Sequence, residues 1–251
     1  MLLVQSVTGI LATCKKPLQV INAYVFKKTL LSKIELRNGM VIHLSDNKND
    51  IVTFVLVFCR KEYGNIGVRK TIIDIGANIG IFSIYAAWQG CEKIIAIEPN
   101  TISYNTLVKN IEANDLQHKI AALHIAVSNV SGESIFIPRD SNPENVSLAF
   151  VNEQQLDSYE TVTTLSLPDI IKDSQLQQIH LLKMDCEGAE FQILLSMQAN
   201  DLKCIENIVM EYHDEPQPLI NHLKANGFVI QKFKKIIDTK IKVGMIEASH
   251  V

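Results

Sequence analysis

Several features that would direct this chain to a special environment are missing. Its five cysteines (Cys14, Cys59, Cys91, Cys186 and Cys204) include no C-x-x-C pair, and their odd, unpatterned spacing excludes a disulfide framework or a zinc site. Free thiols suit a reducing compartment, so the expected location is the cytoplasm. No apolar run reaches the ~18–20 residues that cross a bilayer, and no membrane partner is expected. A basic excess is also missing. Against 27 Asp and Glu stand 24 Lys and Arg, a net charge of −3, which argues against general nucleic-acid binding. With 11 Gly and 7 Pro in 251 residues, the chain is neither collagen-like nor low in complexity.

What is present is a core-forming composition, 47% hydrophobic and 20% charged. Met1 to Cys14 is apolar and ends Leu11-Ala12-Thr13-Cys14. It lacks a positive start, and Lys15 and Lys16 fall on the wrong side for an export signal. A helix or strand packed on the core is expected there. Residues 1–66 read as a cap within one domain, with a hairpin around Arg37-Asn38-Gly39 and a helix from Asp50 to Lys61. From Thr71, β-branched runs alternate with amphipathic segments. Strands are expected at Thr71–Asp74, Lys93–Glu98, Ile120–Ser128, Ile179–Asp185 and Cys204–His213. Helices are expected at Ile79–Gln89, from Asn100 or Thr101 past Ile111, at Ala189–Gln198 and at Pro218–Asn226. Two closing runs, Phe228–Lys234 and Lys240–Ala248, form an antiparallel hairpin. This alternation implies an α/β fold, a doubly wound and mostly parallel sheet covered on both faces. Val130–Leu165 reads as a β excursion near one sheet edge, with pieces at Ser134–Ile137 and Ser147–Val151.

Four strand ends carry chemistry. Asp74-Ile75-Gly76-Ala77-Asn78-Ile79-Gly80 joins a buried strand to a helix, where glycine admits a close ligand and the helix start offers N–H groups. It is not G-x-G-x-x-G, because Asn78 and Ile81 stand where the second and third glycines belong, and no G-K-[ST] follows. Glu98 ends the next strand, 22 residues after Gly76, where a carboxylate takes both ribose hydroxyls of a nucleoside. A nucleoside with an amino-acid tail and no pyrophosphate fits both signals, and that ligand is S-adenosyl-L-methionine. Lys183-Met184-Asp185-Cys186-Glu187-Gly188-Ala189-Glu190 and Glu211-Tyr212-His213-Asp214 end two further strands at the same sheet edge.

Together the Thr71–Glu98 run, the K-x-D-x-E-G-A-E stretch at 183–190 and Glu-x-His at 211–213 resemble the FkbM family of S-adenosylmethionine-dependent methyltransferases. The resemblance spans roughly 150 residues, from Glu62-Tyr63 to His213. It implies a Rossmann-like class I methyltransferase fold over residues 67–251, with a seven-stranded sheet ending in the hairpin. It also implies methylation of a hydroxyl on a sugar, polyketide or other natural product. The family's T-L-D-D appears here as Ser166-Leu167-Pro168-Asp169, and no active role is assigned to that site.

The expected cofactor-binding residues are Asp74, Gly76, Asn78, Gly80, Glu98, Ser128 and Asp185. The expected catalytic residues are His213, Glu187 and Asp185. His213 leads as base because an imidazole near pKa 6.5 suits neutral pH. A magnesium ion on Asp185, Glu211 and His213 is conceivable, but no metal site is assigned. The partner is a small-molecule acceptor, and a homo-oligomer stays open. Two other readings also stay open: a nicotinamide-dependent oxidoreductase or epimerase, and a non-catalytic nucleoside-binding module.

Overall fold

The computed structural model describes residues 2–27, 30–64, 66, 70–139, 158–238 and 242–251. The N-terminal stretch opens with helix α1 (Leu2–Thr13), which turns Ser6 and Ile10 inward, and α2 (Pro17–Phe26), with proline in its first turn. Strands β1 (Lys33–Glu35) and β2 (Val41–His43) pair antiparallel around Asn38-Gly39, where Gly39 takes φ +96°. Helix α3 (Asn49–Phe54) runs on into a π-helical turn, Val55–Cys59, that buries Val55, Val57 and Phe58.

The main body alternates strand and helix: β3 (Thr71–Ile75), α4 (Ile81–Trp88), β4 (Lys93–Ile97), α5 (Thr101–Ala113) and β5 (Ile120–Leu123). An excursion of three strands follows: β6 (Ala126–Ser128), β7 (Ser134–Pro138) and β8 (Tyr159–Ser166). The alternation then resumes with α6 (Leu167–Asp173), β9 (Leu181–Met184), α7 (Ala189–Ser196), the short α8 (Ala199–Leu202), β10 (Asn207–Tyr212) and α9 (Gln217–Ala225). The chain closes with β11 (Phe228–Asp238) and β12 (Lys242–His250).

Seven strands form the central sheet in the order β5-β4-β3-β9-β10-β12-β11. Neighbours from β5 to β10 pair parallel, while β12 is antiparallel to both β10 and β11. Successive residues of β3 face opposite sides. Ile72 joins the core shared with Phe54, Ile84 and Ile94, while Ile73 joins that of Leu182, Met210 and Ile246. Both faces are therefore apolar, as a covered parallel sheet requires. The N-terminal stretch is stitched to this body by Asn110 of α5 and by Asn114 just after it. Asn110 accepts from the His43 N–H and donates to the carbonyls of His43 and Ile79; Asn114 accepts from and donates to Val41. Among the described residues no helix is long and apolar enough to cross a membrane.

One expected strand is two. Ile120–Ser128 breaks after Leu123, the residue paired with Ile97 at the end of β4. Beyond it β4 offers no ladder, because the chain there turns through Pro99, which has no N–H. Ala126–Ser128 pairs with β8 instead, in the separate sheet β6-β8-β7. The expected piece Ser147–Val151 lies outside the described residues.

Candidate active site

Helices leave β3 and β9 beside one another at the centre of the sheet, so a crevice opens at their carboxyl ends. A cavity of about 650 Å³ occupies it. Of the expected residues, Gly76, Asn78, Glu98, Ser128, Asp185 and Glu187 line it. Asp74, Gly80 and His213 do not.

Asp74 is fully buried beneath the loop. Its carboxylate pairs with Lys183 at 3.0 Å and accepts from Ser83 at 2.7 Å, while the Lys183 ammonium donates to the Gly76 carbonyl at 2.8 Å. Burial alone would discharge Lys183; the charges of Asp74 and Asp185 raise its pKa instead. This buried pair anchors the loop 74–80 from below and touches no ligand space. Gly80 takes φ +85°, a left-handed conformation that strains a side chain, and a Cβ there would also press on Leu107 Cδ1 at 2.4 Å.

The loop also corrects the reason for Gly76. At φ +73° its Cα faces the Asp185 carbonyl oxygen, which a Cβ would approach to 1.8 Å. Glycine is needed there so that two strand-end loops can meet, not for ligand approach. The N–H groups of Gly76 and Ala77 donate to Ile97 O, that of Gly80 to Ala77 O, and that of Asn78 to Glu98. A pyrophosphate would need such amides turned outward.

Glu98 fits a nucleoside. One carboxylate oxygen accepts from the Asn78 N–H at 2.8 Å, the other from the Asn100 N–H at 2.9 Å. Each oxygen keeps a second acceptor position for a ribose hydroxyl. The side chain is 7% exposed. Burial pushes its pKa up to about 7, against the pull of the two N–H groups. Asn100 fixes this corner by capping α5 through the Ser103 N–H and donating to the Pro138 carbonyl.

At the other end, the loop 185–188 wraps around the carboxylate of Glu190, which is fully buried and accepts from the N–H groups of Cys186 and Gly188 at 2.9 Å each. His213 sits behind this loop. Its Nδ1 meets Glu190 at 3.2 Å and its Nε2 meets Glu187 at 3.3 Å, with Glu211 4.0 Å away. Burial disfavours charge on the ring, but the Glu190 hydrogen bond, followed by the charges of Glu190, Glu187 and Asp185, raises its pKa to about 9. His213 is thus an imidazolium at neutral pH, with no lone pair to take a proton. These partners hold the ring above the value near 6.5 on which the expectation of a base rested. Oxygens of Asp185 and Glu187 and a nitrogen of His213 lie within 4.8 Å of one another. With both ring nitrogens donating to carboxylates, the trio is an ion-pair network.

Sequence reasoning passed over Glu211 as a base. It lines the cavity from the end of β10, and burial, followed by the Asp185 charge, raises its carboxyl to about 7. Its signal was its place at the carboxyl end of β10, the same sheet edge as the other strand-end residues. Asn49 and Thr53, one turn apart on α3, also line the cavity from the cap, with no sequence signal. Asp169, assigned no active role, accepts from Ser131 and Ser166 at the start of α6.

A parallel crevice with a buried carboxylate at the end of its second strand and no pyrophosphate cradle fits a class I methyltransferase, and known proteins agree. Residues 74–236 match the family model of the methyltransferase FkbM domain, and the chain belongs to that family. It is 28% identical over 178 residues to methyltransferase sdnD of Sordaria araneosa, covering 60% of this chain and 69% of that protein. To the 31-O-demethyl-FK506 methyltransferase FkbM of Streptomyces tacrolimicus it is 25% identical over 241 residues, covering 80% and 90%. The fold is similar to that of Methanocaldococcus jannaschii Trm5 in complex with adenosine, with TM-score 0.50 and 12% identity. That match covers 88% of this chain and 56% of the other.

Proposed function

We propose that this chain transfers a methyl group from S-adenosylmethionine to a hydroxyl oxygen of a small-molecule acceptor, with Glu211 as the base. The observation that carries the reading is one cavity lined by a buried carboxylate at the end of β4, Glu98, and by a second carboxyl at the end of β10, Glu211, both raised to about 7. When bound, the cofactor supplies an electrophilic methyl group on a sulfonium. Glu98 holds the ribose diol, and Asp185 and Ser128 offer further polar contacts along the same wall. Glu211 accepts the acceptor's hydroxyl proton at a carboxylate oxygen, and a base near pKa 7 is half ionised at neutral pH. His213 is a positioning residue, whose charge holds Glu187 and the 185–188 loop in place. Alignment of the two reactants in this partly closed cavity contributes the rest of the acceleration.

A small molecule is favoured over nucleic acid by the net charge of −3 and by a cavity lining without a cationic side chain among the described residues. Residues 1–66 serve as a cap on the methyltransferase unit 67–251. The test is turnover of a hydroxyl acceptor found by screening polyols for S-adenosylhomocysteine release. Wild-type activity should rise with pH through about 7, because the base works ionised. Glu211→Gln should lose about 100- to 10,000-fold in rate and lack that limb, with cofactor affinity retained. Turnover within a few-fold of wild type would remove Glu211 from this role.

A further inference from the structure

The first two helices of the cap contain no charged residue, from Leu2 to Thr13 and from Pro17 to Phe26. A surface helix ordinarily carries charge on its outer face, and one that is apolar all round is covered on every side. Among the described residues only the inner side of this pair is covered. Ser6 and Ile10 of α1 and Val20 and Ala23 of α2 face inward. Gly9 lets α1 lie directly on the π-helical turn, where a Cβ would meet the Cys59 carbonyl oxygen at 2.4 Å. The outer side keeps Val4 and Leu11 of α1, and Leu18 and Phe26 of α2 with Asn22 between them, all at one-face spacing. Leu18 is 76% exposed and Val4 65%.

The two helices lie side by side. Ser6 Oγ is 3.4 Å from Tyr24 Oη, so the start of α1 stands beside the end of α2 and the pair is antiparallel. Charge is concentrated on the same piece of chain. Residues 1–37 hold six Lys or Arg against one acid, Glu35, a net +5 in a chain whose total is −3. Lys33 pairs with Glu35, and Arg37 donates to the Leu11 carbonyl. Lys15 and Lys16 at the turn and Lys27 at the far end of α2 are exposed, so cations bound the apolar face at both ends.

We infer that the outer face of α1 and α2 lies on an anionic phospholipid surface, with Val4, Leu11, Leu18 and Phe26 in the outer acyl layer and Lys15, Lys16 and Lys27 at headgroup depth. Lying on a bilayer needs no spanning helix, and apolar segments of about 10–14 residues have the length of interfacial ones. A second copy is disfavoured as the occupant, because two such faces would bring like charge together within about one Debye length. The other lysine-rich element is spent on ion pairs: Lys232 of β11 pairs with Glu247, and Lys242 of β12 with Glu215. The inference stands apart from the methyl-transfer reading.

The test is flotation of the full chain with vesicles of phosphatidylcholine alone and of phosphatidylcholine with about 30% phosphatidylglycerol, in about 0.1 M salt. The anionic vesicles should bind at least about tenfold more strongly. Lys15→Glu with Lys16→Glu should weaken that binding at least about tenfold, and Leu11→Ser with Leu18→Ser at least about fivefold. All four side chains are exposed, so the unfolding midpoint should stay at its wild-type value in both variants. Lys234→Glu with Lys235→Glu, on β11, should leave vesicle binding within about twofold. Absence of binding to the anionic vesicles overturns the inference. So does binding that ignores the leucine pair, or that follows Lys234 and Lys235 instead. A dimer in sedimentation velocity that the leucine pair dissolves, without vesicle binding, overturns it too and assigns the face to a second copy.

Discussion

At Gly76 a single missing Cβ decides whether two functional loops can touch. With φ +73° and the Asp185 carbonyl 1.8 Å from where a Cβ would stand, Gly76→Ala meets both a strained backbone and a backbone clash. We expect a loss of about 3 kcal/mol or more in denaturant unfolding, well beyond an ordinary surface substitution. His213 gives a second expectation. Its folded pKa of about 9 lies above the ordinary imidazole value near 6.5. The stability it contributes is therefore complete below pH 6.5 and is lost as pH rises through 9. An NMR titration should find the His213 ring still protonated at pH 8, and Glu190→Gln should lower its midpoint. A midpoint below 7 in the wild type would return the ring to the pool of candidate bases. These residues also show where sequence reading stops. Glu98 was legible because its spacing from Gly76 places it at a neighbouring strand end. The state of His213 was not, because it is set by Glu190 on another element, 23 residues away.

The cap, α5 and the β excursion carry the next scale of the account. Asn110 is fully buried in α5 and bonds to the N–H and carbonyl of His43 and to the Ile79 carbonyl. Asn110→Ala strands those groups, at a cost of about 2–3 kcal/mol. Because the same contacts set the cap against the loop carrying Asn78, we also expect weaker S-adenosylhomocysteine binding, measurable by calorimetry. The isosteric Asn110→Asp should lose part of both, since it keeps the acceptor to the His43 N–H and not the donor pair. An unchanged unfolding midpoint in the alanine variant would contradict the stitching role. Element existence was readable from period and punctuation: the Asn38-Gly39 turn, the Asn100 cap and the Gly90 stop all stand where expected. The break at Leu123 was not readable, because apolar residues resume after His124 and run through Val127 while the hydrogen-bonding partner changes from β4 to β8. Nor was the place of Asn49 and Thr53 in the cavity wall, which depends on how α3 docks.

On the scale of the whole chain, alternation from Thr71 to His250 was enough to read a covered parallel sheet, and the closing hairpin has its antiparallel place at the edge. The site followed in part, because strand carboxyl ends converge on one crevice in such a sheet. Which strand-end residues reach the cavity depended on burial, which leaves Asp74 beneath the loop and His213 behind Glu187. The central claim is that this crevice binds an S-adenosyl cofactor through Glu98. Ribose hydroxyls donate, so they favour the ionised carboxylate, and Glu98 with a pKa of about 7 must lose its proton to take them. Isothermal titration with S-adenosylhomocysteine and with NAD, at pH 6 and pH 8, tests this most directly. The account predicts one-to-one S-adenosylhomocysteine binding that tightens by about tenfold from pH 6 to pH 8, and no comparable NAD binding. At pH 8 Glu98→Gln should weaken it by about 10- to 100-fold and flatten the pH dependence. Tight NAD binding without a response to S-adenosylhomocysteine, or Glu98→Gln with wild-type affinity, would contradict it.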